Sequence, residues 1–324
     1  MRALICREYG PPESLELGDL PEPALDEKGV RIAIRAAGLN FPDSLMIEGK
    51  YQFKSPFPFA PGMECAGEVL EVGAAVTRVR PGDRVLAHPW RNCFAEQVVS
   101  EEHNTFPIPD AMDFTTAAGF GCSYGTVLHA LKDRGRLAAG ENLLVFGAAG
   151  GVGLNAVELG HVMGARVIAA ASTAEKRALT RDYGADEAFD YTQGSVRQSV
   201  KDLTDGKGAD VIFDPVGGDI TDESVRCINW NGRLLIIGFA AGRIAKVPSN
   251  LMLIKGAETV GVAYQRFCDE QPDDAEANMA QLMAWFAEGR LKPHVCATYP
   301  LARTVDAIGA MLARQTTGKV VIEI

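Results

Sequence analysis

The stretch 145–160, VFGAAGGVGLNAVELG, joins an apolar run to an amphipathic one through a link of glycine and alanine. Residues 142–146 have the composition of a buried strand. The apolar residues from Gly151 onward recur at spacings of three and four, which predicts a helix packed on a sheet. A link with so little side chain lets a phosphate approach the backbone, where the helix N-terminus offers free N–H groups. The stretch therefore predicts the strand–turn–helix unit of a phosphate-binding α/β domain.

Three small residues in this link occupy the positions of a dinucleotide-binding fingerprint. They are Ala148, Gly150 and Gly153, with alanine in place of the first glycine. A tight turn without any ligand is the alternative interpretation of the same residues. The fingerprint favours a dinucleotide site only if the surrounding chain also predicts an α/β domain.

Length and composition predict a globular protein of two domains. The chain has 324 residues, of which 47% are hydrophobic and 23% charged. The formal charge of −10 disfavours nucleic acid or an anionic membrane surface as a partner. No apolar stretch approaches the roughly 20 residues of a membrane-spanning helix, and charges interrupt the start MRALICREYG. The seven cysteines are scattered, as is typical of reduced thiols, so we expect a soluble cytoplasmic protein without a membrane partner.

The pattern of the chain changes between residues 110 and 142. Up to about residue 110, short apolar runs alternate with turns rich in proline and glycine, which predicts a small β-barrel. From residue 142, strand and helix patterns alternate, which predicts a parallel sheet with its ligands at the carboxyl ends of the strands. The last segment predicts helices over 274–288 and 304–313 and a final strand KVVIEI, which we expect to complete the first domain.

Seven motifs follow one another along the chain: AAGLNFPDSLMIEGKY (36–51), FPFAPGMECAGEVLEVG (57–73), PGDRV (81–85), CSYGT (122–126), GAAGGVG (147–153), FDPVGG (213–218) and GKVV (318–321). Through these motifs the chain resembles the zinc-free medium-chain dehydrogenases/reductases, and within them the NADPH:quinone oxidoreductases. The resemblance extends over essentially the whole chain. It implies an α/β fold in which a Rossmann doubly wound parallel sheet is combined with a GroES-like β-barrel catalytic domain. The implied domains are a catalytic domain formed by 1–122 and 264–324 and an NADP-binding domain at 123–263, with the active site between them.

Zinc-dependent relatives bind their catalytic metal with two cysteines and a histidine. The matching positions here are Asn40, Met63 and Cys122. Because an amide and a thioether do not replace imidazole and thiolate as zinc ligands, we expect no metal. A small apolar thiol beside the cofactor is the plainer interpretation of Cys122.

The resemblance implies a catalytic role for Asn40, Asp43 and Tyr51. The Tyr51 hydroxyl could donate a hydrogen bond to a substrate oxygen, and Asn40 could orient the substrate or the nicotinamide. Alternatively, Asn40 and Asp43 only hold a loop through local hydrogen bonds. The five histidines have no metal-like or triad-like spacing and are expected to be structural, and Glu64 and Glu68 show no paired-carboxylate pattern.

We expect NADPH rather than NADH as the cofactor. NAD-specific proteins of this type place an acidic residue roughly 20 residues beyond the glycines, whereas this chain has Ala171 and Ser172 at the strand end. A solvated helix face that includes Glu175 and Arg177 is the alternative interpretation of this region. Thr126 could instead be a helix N-cap. The residues expected to bind the cofactor are Thr126, Gly150, Gly151, Val152, Gly153, Ser172, Lys176, Tyr191, Val216, Gly238, Phe239 and Lys319.

Hydride transfer to a quinone or an α,β-unsaturated carbonyl compound needs no metal, which favours a reductase of such small molecules. One alternative is a reductase of enoyl thioesters or small activated alkenes, which would use a basic pocket built from Arg91, Arg243, Arg266 and Arg290. Another is a non-catalytic NADPH-binding protein. We also expect a homodimer that pairs through the apolar segment 257–264.

Overall fold

The structure, a computed structural model, describes residues 1–324. The chain forms two compact units, one from 1–123 together with 265–324 and the other from 124–264. Each boundary lies one residue beyond the position predicted from the sequence. No helix is both long enough and apolar enough to cross a membrane.

The first unit is built on a seven-stranded sheet in the order β14-β15-β3-β4-β5-β7, with β6 also paired to β3. A separate pair, β1–β2, is antiparallel. The elements of the N-terminal segment are β1 (Arg2–Ile5), β2 (Glu16–Asp19), β3 (Gly29–Leu39), α1 (Phe41–Ile47), β4 (Glu64–Val72), β5 (Arg84–Ala87), β6 (Gln97–Glu101), β7 (Thr105–Pro107) and α2 (Phe114–Leu128), which ends in a π-helical turn at His129–Arg134.

The second unit is a six-stranded parallel sheet in the order β10-β9-β8-β11-β12-β13. The order reverses between β8 and β11, and ligands of doubly wound sheets bind at such a switch point. The middle residues of its central strands, such as Leu143–Val145 and Val211–Phe213, are buried and apolar, which is typical of a parallel sheet covered on both faces. The elements are β8 (Asn142–Val145), α3 (Gly151–Val162), β9 (Arg166–Ala170), α4 (Ala174–Asp182), β10 (Glu187–Phe189), α5 (Val196–Leu203), β11 (Ala209–Asp214), α6 (Asp219–Cys227), β12 (Ile228–Ile236), α7 (Ser249–Lys255) and β13 (Glu258–Gly261).

The C-terminal segment returns to the first unit, as the sequence predicts. Its last strand lies beside β3 in antiparallel register, with Val320 opposite Leu39. On the other side of β3, Gly38 lies opposite Glu64. This register brings the ends of three strands to one place. The elements of the segment are α8 (Tyr264–Glu270), α9 (Pro272–Ala287), β14 (Val295–Pro300), α10 (Thr304–Leu312) and β15 (Lys319–Glu323).

Candidate active site

A cluster of buried polar side chains lies where β3, β4 and β15 meet in the first unit. Asn40 follows β3 directly and caps α1, and its backbone N–H donates to Asp43 Oδ2 at 2.7 Å. The Asn40 amide Nδ2 donates to Glu64 Oε1 at 2.8 Å and to the Gly38 carbonyl at 3.3 Å. The local bonds predicted for Asn40 and Asp43 are therefore present. Whether either residue also touches substrate stays a prediction.

Two members of this cluster, Glu64 and Lys319, form an ion pair that no pattern in the sequence indicates. Lys319 Nζ lies 2.8 Å from Glu64 Oε1 and 2.8 Å from Asn40 Oδ1. The side chains of Glu64 and Lys319 are only 1% and 6% exposed. Glu64 Oε2 also accepts a hydrogen bond from the backbone N–H of Cys122 at 2.8 Å. We call Asn40, Asp43, Glu64 and Lys319 the polar cluster.

Gly38 makes the close packing of this cluster possible. A Cβ atom at that position would lie 2.2 Å from the Ala118 carbonyl oxygen and 2.5 Å from Glu64 Oε1. Any side chain there would push either α2 or the Glu64 carboxylate away. The glycine in AAGLN thus has a packing reason that is visible only in the fold.

Asp43 is completely buried, and this burial raises the pKa of its carboxyl group from 3.8 to about 7. The hydrogen bond from the Asn40 backbone and the charge of Lys319 oppose the shift, whereas the charge of Glu64 adds to it. Asp43 is therefore a carboxyl group that changes protonation near neutral pH.

Tyr51 is held at the C-terminal end of α1, where its backbone N–H donates to the Leu45 carbonyl at 3.0 Å. Its ring is half-buried and meets the edge of Phe53 with the ring centroids 5.9 Å apart. Burial raises the pKa of the Tyr51 phenol to about 12, with smaller contributions from Cys122 and Asp43. At neutral pH the phenol keeps its proton and can act as a hydrogen-bond donor.

The residues at the zinc-ligand positions do not fit a catalytic metal. No three His, Cys, Asp or Glu side chains are grouped so that they could hold a metal ion. Met63 is buried in the hydrophobic core of the first unit. Burial and the nearby Glu64 carboxylate raise the pKa of the Cys122 thiol well above its usual value, so the thiolate that zinc requires is disfavoured.

His88 lies beside the polar cluster but inside the core. Its ring packs near those of Trp90 and Phe106, with centroid distances of 5.3 and 5.8 Å. Burial lowers the pKa of its imidazole to about 4, so His88 is neutral at physiological pH. A Cβ at Gly121 would lie 2.2 Å from the His88 ring.

In the second unit, the glycine-rich link forms a cradle at the carboxyl end of β8. Gly150 is the N-cap of α3, and Gly151, Val152 and Gly153 form the first turn of the helix. A Cβ at Gly153 would lie 2.1 Å from the Gly147 carbonyl oxygen, so a glycine is needed for α3 to pack against the turn. The N–H groups of a first helical turn have no partners within the helix. The cradle therefore fits the phosphates of a dinucleotide.

The predicted 2′-phosphate residues are brought to one edge of the same sheet. Ala170 in β9 lies opposite Phe189 in the parallel strand β10. Ser172 follows Ala170 by two residues, and Tyr191 follows Phe189 by two residues. Lys176 lies in the first turn of α4, where its N–H donates to the N-cap Thr173.

Arg177, from the alternative interpretation of this region, is engaged within the protein. Its Nη1 lies 3.0 Å from Asp190 Oδ2 and 3.2 Å from the Ala171 carbonyl.

Val216, Gly238 and Phe239 gather at the carboxyl ends of β11 and β12. A Cβ at Gly147 would lie 3.3 Å from Val216 Cγ2, and one at Gly217 would lie 2.9 Å from the Phe239 ring. These residues therefore share the edge of the sheet that carries the glycine cradle.

Two residues from the predicted cofactor set are placed differently from the rest. Thr126 lies well inside α2, so the alternative that it is an N-cap was wrong. The small residues near Phe114 give no sequence signal for the start of this helix. Lys319 belongs to the first unit, where its ammonium group takes part in the polar cluster.

Two family models match the chain, and together they describe both parts of a medium-chain dehydrogenase/reductase. The alcohol dehydrogenase GroES-like domain matches residues 26–133, and the zinc-binding dehydrogenase domain matches residues 151–286.

Similar proteins extend the match to the full chain. A quinone oxidoreductase-like protein 2 homolog from Nematostella vectensis is 39% identical over 99% of this chain and 88% of its own length. A Pseudomonas aeruginosa quinone oxidoreductase is 34% identical over 97% of both chains. The crystal structure of Escherichia coli quinone oxidoreductase complexed with NADPH superimposes over 100% of both chains, with a TM-score of 0.94 and 25% identity. The chain therefore belongs to the quinone oxidoreductase family of the medium-chain dehydrogenases/reductases, and it is an oxidoreductase.

Proposed function

We propose that this protein is an NADPH-dependent reductase that transfers hydride to quinones or activated carbonyl compounds without a metal. The observation that carries the proposal is a cavity of about 550 Å³ in the first unit, lined by Tyr51, Phe53 and Trp90 among others. The three aromatic side chains can stack against a flat ring, and the polar side chains that make up more than half of the lining can bind the oxygen atoms of that ring. A flat, neutral quinone suits such walls.

Different residues of the chain would bind the cofactor and the substrate. The cradle at Gly150–Gly153 would hold the cofactor phosphates, and Ser172, Lys176 and Tyr191 would hold its 2′-phosphate. Bound NADPH supplies the hydride. The protonated Tyr51 phenol donates a hydrogen bond to a substrate oxygen and so favours the negative charge that develops there. Since the reduced quinone already spreads that charge over its ring, no metal ion is needed to stabilise it.

The charges around the cavity favour a neutral substrate over an anionic thioester. Its charged lining residues are two basic ones, Lys54 and Arg91, and three acidic ones, Asp26, Glu101 and Asp269. This balance disfavours a substrate with a negatively charged tail.

The other arginines considered for a basic pocket have acidic partners elsewhere. Arg243 lies 2.6 Å from both Asp219 and Asp222. Arg266 pairs with Glu270, and Arg290 pairs with Glu288. The enoyl thioester alternative therefore has less support than the quinone.

NADPH consumption by the purified protein tests the proposal. The substrates are 1,4-benzoquinone, 9,10-phenanthrenequinone, an enone and a crotonyl thioester, each measured with and without a chelator. We expect quinone turnover that the chelator does not change. Preference for the thioester would support the enoyl reductase instead, and tight NADPH binding without turnover would support a non-catalytic protein. Loss of activity in chelator together with about one zinc per chain would contradict the metal-free mechanism.

The cytoplasmic location stays a prediction.

A further inference from the structure

The ammonium group of Lys319 is fully used inside the polar cluster. A lysine has three N–H donors. Lys319 Nζ lies 3.0 Å from the Leu39 carbonyl, 2.8 Å from Asn40 Oδ1 and 2.8 Å from Glu64 Oε1. Each hydrogen has an acceptor, so Lys319 serves the cluster with its whole donor capacity.

Asn40 is fixed just as completely. Its Oδ1 accepts from Lys319, and its Nδ2 donates to Glu64 Oε1 and to the Gly38 carbonyl. The side-chain amide therefore has one orientation that satisfies both of its ends. Asn40 is the N-cap of α1. Because the Lys319–Glu64 ion pair holds the Asn40 side chain, it also fixes where α1 begins.

Tyr51 lies four residues beyond Ile47, the last residue of α1. The N–H groups of Lys50 and Tyr51 both donate to the Leu45 carbonyl, at 2.7 and 3.0 Å. The helix has only seven residues, about 10 Å in length, and Met46 and Ile47 anchor it in the core. Because the Leu45 carbonyl ties Tyr51 to this short helix, a rotation of α1 about its core contacts would move the Tyr51 ring.

We infer that Lys319 and Glu64 are positioning residues of the reductase: their buried ion pair holds Asn40, which fixes α1 and aims the Tyr51 hydroxyl. Neither residue has to touch substrate or cofactor to act in this way. The inference rests on the proposed function, because it assigns the Tyr51 hydroxyl to the substrate.

A double-mutant cycle tests whether Lys319 acts through Tyr51. The variants are Lys319→Met, Tyr51→Phe and the combination, and the readouts are kcat with 9,10-phenanthrenequinone and the NADPH Kd from fluorescence titration. We expect each single change to lower kcat by about ten- to a hundredfold, and the double variant to be no slower than the slower single one. The NADPH Kd should change by less than about threefold. Fully additive losses, or a tenfold weaker NADPH Kd with unchanged kcat, would overturn the inference.

A second variant covers the case in which Lys319→Met does not fold because Glu64 is left buried as an unpaired charge. Lys319→Met combined with Glu64→Gln removes both charges, while the glutamine carbonyl can still accept from the Cys122 N–H. The same cycle with Tyr51→Phe should again be non-additive.

Hydrogen exchange of residues 41–51 gives a readout that needs no activity. Lys319→Met should speed up exchange in this segment. The control variant Arg233→Met breaks a partly buried ion pair with Glu141 in the second unit and should leave the segment unchanged. Unchanged exchange in Lys319→Met would overturn the inference. If the wild type reduces no quinone but this exchange increases, the proposed function fails while the control of α1 by the ion pair stands.

Discussion

At the scale of single residues, Tyr51 is a hydrogen-bond donor whose proton is not easily lost. Its phenol pKa of about 12 keeps it neutral throughout the physiological range. Because the reduced quinone is stabilised by its own delocalisation, Tyr51→Phe should lower kcat/KM by about one to two orders of magnitude. Steady-state kinetics with 9,10-phenanthrenequinone measures the loss.

Tyr9→Phe is the matched control for this change, since that ring packs against Phe57 at the surface. It should retain wild-type kinetics. Complete loss of turnover in folded Tyr51→Phe would mean that the tyrosine is an obligatory proton donor rather than an aid.

Lys176 is the residue that we expect to distinguish NADPH from NADH. A charge-assisted bond to phosphate is worth about 1.5 to 3 kcal/mol, so Lys176→Ala should weaken NADPH binding by roughly one to two orders of magnitude. NADH binding should hardly change, and the wild type should prefer NADPH. Calorimetric titration of both cofactors measures these affinities.

Lys207→Ala provides the control, because Lys207 lies near Asn142 and Arg166 at the amino ends of β8 and β9, away from the carboxyl ends that carry the predicted cofactor residues. It should affect neither cofactor. An equal loss of NADPH and NADH affinity in Lys176→Ala would remove the 2′-phosphate assignment.

The buried Asp43 carboxyl gives the first unit a distinctive pH dependence. Its pKa is about 7 when folded and 3.8 in its ordinary state. Between pH 4 and 7 the folded chain keeps this proton while the unfolded chain loses it, so stability falls as the pH rises. Asp43→Asn keeps an acceptor for the Asn40 N–H without the titration. Its free energy of unfolding relative to the wild type should therefore rise by up to about 4 kcal/mol between pH 4 and 7. Urea unfolding across this range measures the change.

His88 offers a comparison of opposite sign. Its pKa is about 4 when folded and 6.5 in its ordinary state, so its contribution to stability is lost as the pH falls through this window. His88→Phe should therefore become more stable relative to the wild type as the pH falls from 6.5 to 4. If the free energy of unfolding of Asp43→Asn relative to the wild type does not change with pH, Asp43 is ionised in the folded protein.

At the scale of helices and strands, the sequence was informative wherever hydrophobic periodicity was strong. The alternation after residue 142 predicted the strands β8 to β12 and the helices between them but not α7, and the predicted strand at 142–146 is observed as Asn142–Val145. The start of α2 at Phe114 was missed because FTTAAGFGCSYGTVL has small or apolar residues on every side and gives no amphipathic signal.

Gly153 shows how one glycine sets the packing of a helix on its strand. Because a Cβ there would lie 2.1 Å from a backbone oxygen, the clash in Gly153→Ala cannot be relieved by rotating a side chain. We expect a loss of about 1–3 kcal/mol in unfolding free energy and weaker NADPH binding as α3 is displaced. Gly309→Ala in α10 is the control, since nothing lies within 4 Å of its added Cβ. It should be neutral or slightly stabilising, and equal stability of both variants would contradict the packing argument.

At the scale of the whole molecule, the polar cluster could not have been read from the sequence. Its members come from residues 40, 43, 64 and 319, and only the strand register places β15 and β4 on either side of β3. The family motif pointed to Asn40 and Asp43. Glu64 in a β pattern gave no sign of its partner, because an ion pair spanning 255 positions leaves no local signal.

The edge of the parallel sheet bears on how two copies of the chain would assemble. The strand β13 lies at one end of the sheet, and such an edge can pair with another copy. Several large apolar side chains in the same unit are strongly exposed, among them Trp230 by 66%, Leu253 by 81% and Ile254 by 68%. The Trp230 ring lies beside Gly256 at the end of α7, so it adjoins the helix that carries the other two. Exposed apolar side chains grouped in this way are typical of an interface.

We therefore expect a homodimer that buries this surface, with the two β13 strands paired. Light scattering should give twice the mass of one chain at micromolar concentration. Leu253→Glu combined with Ile254→Lys should shift the protein towards monomer, because burying unpaired charges in an apolar interface is costly. Leu70→Glu, which alters an exposed leucine of the first unit, should leave the dimer intact. A wild-type protein that is monomeric at these concentrations would refute the pairing.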